Sequence, residues 1–483
     1  MFIDRSAALP HAHVYSGGWD HFVGGGVAIF DCDGDAAPDL FVAGGAGPAR
    51  LMRNTTGADG AIRFAPVEMD ALTGVTGAYP LDLDGDGLRD LFVLRNGPNV
   101  ALRGRGDCRF DVANDAWNIP PGTGWSTAFS ATWEEGRDRP TLAIGNYVDA
   151  TDPEGPFGTC DDSILLRPEG DTYGPPLSLD PSFCPLSMLF TDWTRHGDAM
   201  LRVSNDRHYY VSGGREQMWA LSPLRELTTE DGWPATMIWG MGIASRDLTG
   251  DGLPEVMLTS MGDQLLMTNT GVGFDPVGYD VGTTAHRPHV GDDGRPSTGW
   301  HAEFGDVDND GRPDLFIAKG NVDQMPGMAM LDPNTLLMQQ DDGRFVEHAA
   351  SAGIATTERS RGAGFADLNG DGRLDLVVVN RRAPMEIWQN VTEGTGHWVA
   401  VDLVQPGGNR DAVGAIIELR TAAGVQTIER TVGGGHVSGS LLPLHFGIGS
   451  ATGAEVRVTW PDGAVGPWRS VQADRTARIA RDR

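Results

Sequence analysis

The chain has 483 residues, 67 of them Gly and 30 Pro, with 40% apolar content, which suits many short strands joined by tight turns and argues against a helical bundle. No run approaches ~18 apolar residues, so no membrane-spanning helix is expected. The net charge of -29 would repel phosphate backbones and excludes nucleic acid as a partner.

The opening segment MFIDRSAALPHAH has no basic n-region and no apolar h-region. Either a leader has been removed or the protein is made without one, so cytoplasmic residence stays open at this point. Behind it, one pattern recurs: D-x-D-x-D-x-x-x-D, followed by an apolar strand-like run. DCDGDAAPDLFVAGG supplies Asp31, Asp33, Asp35 and Asp39, and DLDGDGLRDLFVLRN supplies Asp82, Asp84, Asp86 and Asp90. DLTGDGLPEVMLTS supplies Asp247, Thr249, Asp251 and Glu255. DVDNDGRPDLFIAKG supplies Asp306, Asp308, Asp310 and Asp314, and DLNGDGRLDLVVVN supplies Asp367, Asn369, Asp371 and Asp375.

The gap between the second and third of these holds two eroded copies. WEEGRDRPTLAIGN puts Trp133, Glu135, Arg137 and Thr141 at the four positions, and DWTRHGDAMLRVSN puts Asp192, Thr194, His196 and Met200 there. Motif starts then fall at 31, 82, 133, 192, 247, 306 and 367. Seven units with strand-like alternation read as an all-β fold, a seven-bladed β-propeller over residues 1–392. The last unit ends at MEIWQN without a final strand, and the first residues resemble that missing strand. Phe2 to Arg5 is therefore expected to complete the last blade and close the ring, which removes its open edges.

Positions 1, 3, 5 and 9 of the motif bring carboxylates into one short turn, where they repel unless a cation sits among them. Many hard oxygen donors with no His or Cys select Ca²⁺, one ion for each of the five well-formed loops. An EF-hand is rejected because an apolar strand begins at position 10, where a second helix should be prepared. The eroded loops are not expected to bind: Arg137 places a cation where the metal belongs, and Met200 offers no hard oxygen.

Cys32, Cys108, Cys160 and Cys184 form no C-x-x-C pair. Cys160 and Cys184 flank one loop-like stretch and are a candidate disulfide. That insertion, between Asp149 and Pro185, also carries Asp152, Glu154, Asp161 and Asp162 and is a candidate lid or extra cation site. So is the stretch with His286, His289, Asp292 and Asp293. The residues just ahead of the motifs include His21, Trp125, Trp239, Met241, Trp300, His301 and Arg361. Either they ring a ligand-binding mouth on the face opposite the loops, or the tryptophans pack between blades.

Residues 393–483 alternate well, in HWVAVDLV, AIIELRT, QTIERTV and EVRVTW, and read as a small β-sandwich-like domain with its own core. Arg410 and Asp411 either grip the adjoining propeller or sit in a solvated turn. The repeats resemble the FG-GAP/VCBS repeats of integrin-α-like propellers. GNRDAVGAIIELRTAAG, GGGHVSGS, LHFGIG and VTWPDG look like an ASPIC/UnbV domain. Propeller then ASPIC/UnbV is similar to bacterial relatives of the cartilage acidic protein family, which implies Ca²⁺ binding and export but no reaction.

No G-x-S-x-G elbow, phosphate loop or H-E-x-x-H occurs. The sequence therefore points to an exported Ca²⁺-binding recognition or adhesion module for a protein, glycan or small molecule. The alternative is a Ca²⁺-stabilised enzyme, a cyclase or hydrolase, working at the aromatic and histidine-lined mouth.

Overall fold

The structure, a computed structural model, describes residues 1–482 except 150, 151, 153–158, 207–210, 285 and 292. Each motif supplies the turn between the first two strands of a sheet. In blade 1 the inner strand Val27–Phe30 is followed by the loop and then by Asp39–Val42, Arg50–Asn54 and Phe64–Val67. Among the described residues there are seven such antiparallel sheets, and their inner strands pack one against the next around a closed ring. This is a β-propeller. The inner and second strands are buried on both faces, which explains why the second strands read as continuous apolar runs. Outer strands such as Phe110–Val112 are exposed and short.

The inner strands are rich in Gly, Ala and Ser because seven of them converge on one axis. The ring closes as expected: Phe2–Asp4 pairs antiparallel with Glu386–Asn390, and Phe2 is buried in the core of the last blade. The two eroded motifs also sit in intact blades, with inner strands Ser126–Thr132 and Pro185–Thr191.

The C-terminal part packs a three-stranded sheet, built on His397–Val404, against a four-stranded one built on Ile416–Thr421. Val399, Ile417, Phe446 and Val456 lie in their shared core. The independence expected of this domain is only partial. Its glycine-rich segment leaves the domain and enters the propeller axis. There Gly439–Leu441 pairs in parallel with Ala28, Ile29 and Phe30 of the blade 1 inner strand. Single bridges tie Ser438 to Ala78, Val432 to Ala131, Gly433 to Leu189 and Gly435 to Ile243, so the plug touches five blades in succession.

Glycine is needed on both sides of this contact. A Cβ on Gly77 would lie 2.0 Å from the carbonyl oxygen of Val437, and one on Gly435 would lie 2.3 Å from His301. Replacing Gly77 with Ala should destabilise the protein by about 1–3 kcal/mol in chemical denaturation, or expel the plug. Limited proteolysis checks the second outcome: the segment 432–441, protected in the parent protein, becomes a cleavage site.

Candidate functional site

The motif loops are shaped by hydrogen bonds between carboxylates and backbone. At position 1 of the motif, Asp82 accepts the N–H groups of Gly85 and Gly87 at 2.8 and 2.9 Å. Asp31, Asp247, Asp306 and Asp367 hold their own turns in the same way. At position 9, Asp90 accepts Leu83 N–H from its loop and Gly104 N–H from the third strand, both at 2.7 Å. Asp39, Glu255, Asp314 and Asp375 repeat this double bond. Position 4 needs φ > 0, and Gly34, Gly85, Gly250 and Gly370 supply it. In the sixth loop Asn309 does so at φ 58, and its side chain is spent on Gly372 O and on His445 of the C-terminal domain.

Three loops bring at least three carboxylates within ligating distance of one another: Asp31 with Asp33 and Asp39, Asp82 with Asp84 and Asp86, and Asp306 with Asp308 and Asp314. Thr249 and Asn369 take position 3 in the other two loops. There the remaining Asp247, Asp251 and Glu255, and Asp367, Asp371 and Asp375, form no such group among the described residues.

The sixth loop fits a hard cation best. Asp308 Oδ1 is buried there without a hydrogen-bond partner, which is costly for an oxygen unless something positive meets it. In the first two loops an arginine already rests on position 3, with Arg53 Nε 3.0 Å from Asp33 and Arg103 Nε 2.7 Å from Asp84. Such a guanidinium can stay as an outer partner of a metal-bound carboxylate.

Burial raises the pKa of these acids in the metal-free protein. Asp90 and Asp306 are pushed up to about 8, Asp39 and Glu255 to about 7, and Asp82 to about 6, with neighbouring carboxylates adding to the effect. Asp314 and Asp375 are displaced upward for the same reasons.

In each eroded loop an arginine stands against a glutamate. In the fourth loop Asp192 still accepts His196 and Gly197 N–H, while Glu429 of the C-terminal domain enters and meets Arg195 at 2.7 Å. Glu429 also accepts Asp192 N–H and the Thr191 hydroxyl. In the third loop Glu134 takes Arg167 at 2.7 Å and the Thr141 hydroxyl, and Arg137 turns away to Pro168 O.

The loop face is thus the docking face of the C-terminal domain. Asp411 meets Arg89 at 2.6 Å, Gly396 N–H reaches Asp308 O at 2.9 Å, and Trp398 packs on Gly372. Of the expected grip, Asp411 makes the ion pair, and Arg410 lies against Gly87.

The residues ahead of the motifs do not ring an open mouth. Trp125, Met241 and Trp300 are packed with Phe22, Val23 and Tyr147 in one buried cluster. Arg361 is wholly buried, its guanidinium 3.9 Å over the Trp300 ring and bonded to the carbonyls of Phe22, Asn321 and Val322. His21 is buried beside Asp20, and Trp239 is half-buried. The space on the axis is taken from the other side by His436, whose ring lies tilted against Trp300 and which contacts Leu186 O and Gly24 N–H. Seven converging strands leave a channel that must be filled, and the plug and the segment Phe22–Val23 fill it.

Cys160 and Cys184 form a disulfide, and so do Cys32 and Cys108, which joins the first loop to blade 2. The second pair was missed, although an even count of four cysteines signals two bridges once one is drawn. His286 pairs with Asp263 and His289 with Glu347, while Asp293 bonds Arg295 and Met330 N–H, so the described residues of this stretch assemble no common site. Glu154 and Asp292 lie outside the described residues.

Because the folded state holds protons that the unfolded chain has released, stability of the metal-free protein should fall as pH rises from about 4 towards 8. A bound cation favours the ionised carboxylates and removes that slope. Melting curves across this pH range, with chelator and with Ca²⁺, check both expectations.

Comparison with known families gives two matches. Residues 31–93, 247–317 and 306–378 match the FG-GAP-like repeat, and residues 405–483 match ASPIC and UnbV. The repeat matches skip the two eroded blades. The chain is 26% identical to cartilage acidic protein 1 of Mus musculus over 159 residues, 32% of this chain and 23% of that protein. The human protein gives 26% identity over the same length, 22% of its own. The match therefore spans less than a quarter of either relative.

Among solved structures, BBS1N in complex with ARL6DN covers 82% of this chain and 98% of its own, at 11% identity and a TM-score of 0.47. The extracellular domain of the putative hybrid two component system BT4673 from B. thetaiotaomicron covers 99% of this chain and 59% of its own, at 8% identity and a TM-score of 0.42. The chain carries FG-GAP-like repeats on a β-propeller, followed by an ASPIC and UnbV domain, and over 159 residues it is similar to cartilage acidic protein 1.

Proposed function

We propose that the protein is a Ca²⁺-braced recognition or adhesion module that works outside the cytoplasm and presents its propeller surface to a protein or glycan. The observation that carries the metal part is the sixth loop. Asp306, Asp308 and Asp314 converge there, and Asp308 Oδ1 is buried with no partner. Ca²⁺ suits this all-oxygen set, and the same turn recurs in the first two loops with three carboxylates each.

Two disulfides support an oxidising compartment, and no described helix is long and apolar enough to cross a membrane. The FG-GAP-like repeats and the ASPIC and UnbV domain support recognition over catalysis. So does the packing of Trp125, Trp300 and Arg361, since the catalytic alternative needed those side chains around an open mouth.

Because the loops also form the docking face, Ca²⁺ here would brace the seam between the two domains as well as each blade. Excess chelator should lower the melting temperature, and Ca²⁺ should restore it where Mg²⁺ at the same concentration does not. Asp308→Asn should weaken the restoration without unfolding the chelated protein. A melting curve indifferent to chelator would remove the metal from this reading.

A further inference from the structure

A cavity of about 460 Å³ lies where the inner strands of blades 5, 6 and 7 end beneath the C-terminal domain. Its size falls in the range of small-molecule sites. Both domains build it, so it exists only while the plug is seated. Its apolar wall includes Ile29, Ile243, Phe304, Phe365, Trp398 and Leu444.

Most charged groups on its lining are already satisfied. Glu429 holds Arg195, Arg430 donates to Leu442 O at 2.6 Å, and Asp247 accepts the Gly250 and Gly252 N–H groups. Two are not. Glu303 uses only Oε2, which accepts Phe365 N–H at 3.1 Å and faces His301 Nε2 at 3.4 Å. Oε1 bonds no described residue. Arg246 is 9% exposed, lies over the Phe446 ring with Asp306 and Asp247 as charged neighbours, and gives Nη2 to Gln426 Oε1 at a long 3.4 Å, while Nη1 bonds no described residue.

The plug sets the state of this acceptor. His301 Nδ1 accepts the backbone N–H of His436 at 3.1 Å, so in the neutral ring the proton sits on Nε2 and points at Glu303. Glu303, which lines the cavity, is thereby held in place through Oε2 and keeps Oε1 without a bond to any described residue. A free carboxylate oxygen and an under-bonded guanidinium in one apolar-walled space match a ligand that carries both charges.

We propose that the seam cavity binds a small zwitterion with an apolar side group, of the α-amino acid class, its ammonium on Glu303 and its carboxylate on Arg246. This goes beyond the recognition reading and does not require metal in the loops.

The test uses the full chain and the proteinogenic L-amino acids at millimolar concentration. Thermal shift selects the best of them, and calorimetry then compares it with its decarboxylated and its deaminated analogues. At least one amino acid should bind, and loss of either charge should weaken it by about ten- to hundredfold. Glu303→Gln and Arg246→Gln should each reproduce that loss while their unliganded melting stays near that of the parent. If Arg246→Gln fails to fold, Ser245→Leu, which fills the cavity from the blade 5 strand, should abolish binding instead. Absence of binding by every amino acid overturns the proposal. So does an amine analogue that binds as tightly as its amino acid, or binding that Glu303→Gln leaves intact. Chelator melting reads the Ca²⁺ proposal separately, so the failure of one does not mimic the failure of the other.

Discussion

In the five well-formed loops the carboxylate at position 9 is the constraint that fixes the blade. It accepts one N–H from its own loop and one from the third strand, and so fastens three strands of a blade at a single buried point. In blades 1, 5 and 7 that third strand ends in a buried asparagine: Asn54, Asn269 and Asn390. Each sends its side-chain amide to a carbonyl in the preceding blade's loop, Leu368, Trp193 and Val307 respectively. In blade 3, Arg139 does the same for Leu83 O. The hydrogen bonds that shape one turn therefore also join it to the next blade. Buried polar chains of this kind are stable only when every member is satisfied, which makes the loops cooperative with the ring.

Electrostatics then separates two kinds of blade. Where a loop gathers three carboxylates, burial makes the charged form costly and a cation welcome. Where the carboxylates are lost, Arg195 and Arg167 provide the positive charge from within the chain, each facing a glutamate. One of those glutamates, Glu429, belongs to the C-terminal domain. In the eroded fourth blade a domain contact stands where other loops gather carboxylates, and the fold keeps the same turn in both cases. This is why blades that look degenerate in sequence are geometrically intact.

What was legible in the sequence is what is local. The D-x-D-x-D-x-x-x-D spacing fixes a turn, its recurrence fixes the number of sheets, and a missing last strand points to Phe2–Asp4. The 160–184 disulfide was visible because both cysteines flank one insertion, whereas the 32–108 bridge spans 76 residues and two blades. Of the two readings open for the residues ahead of the motifs, packing is the one found. Counting back from the motifs correctly gathered Trp125, Trp300 and Arg361 near the axis. But what fills the axis comes from His436, whose partner His301 is 135 residues away and whose glycine-rich surroundings carry no periodicity. The glycines of GGGHVSGS were the available signal: so many in a row suit a backbone that must approach other backbones closely.

The two domains are consequently less separable than their cores suggest. Each domain has its own hydrophobic cluster, yet the plug adds a fifth strand to the blade 1 sheet and fixes the tautomer of a propeller histidine. A propeller without its C-terminal domain would keep its ring, since Phe2–Asp4 closes it. It would lose the filling of its channel, the Glu429 carboxylate at its fourth loop and the roof of the seam cavity. Such a ring would expose Gly26, Gly77 and Gly362, three positions where the axis is lined by bare backbone shaped to receive another chain. The glycine content that first suggested tight turns thus serves a second purpose, which is to let one domain enter the other.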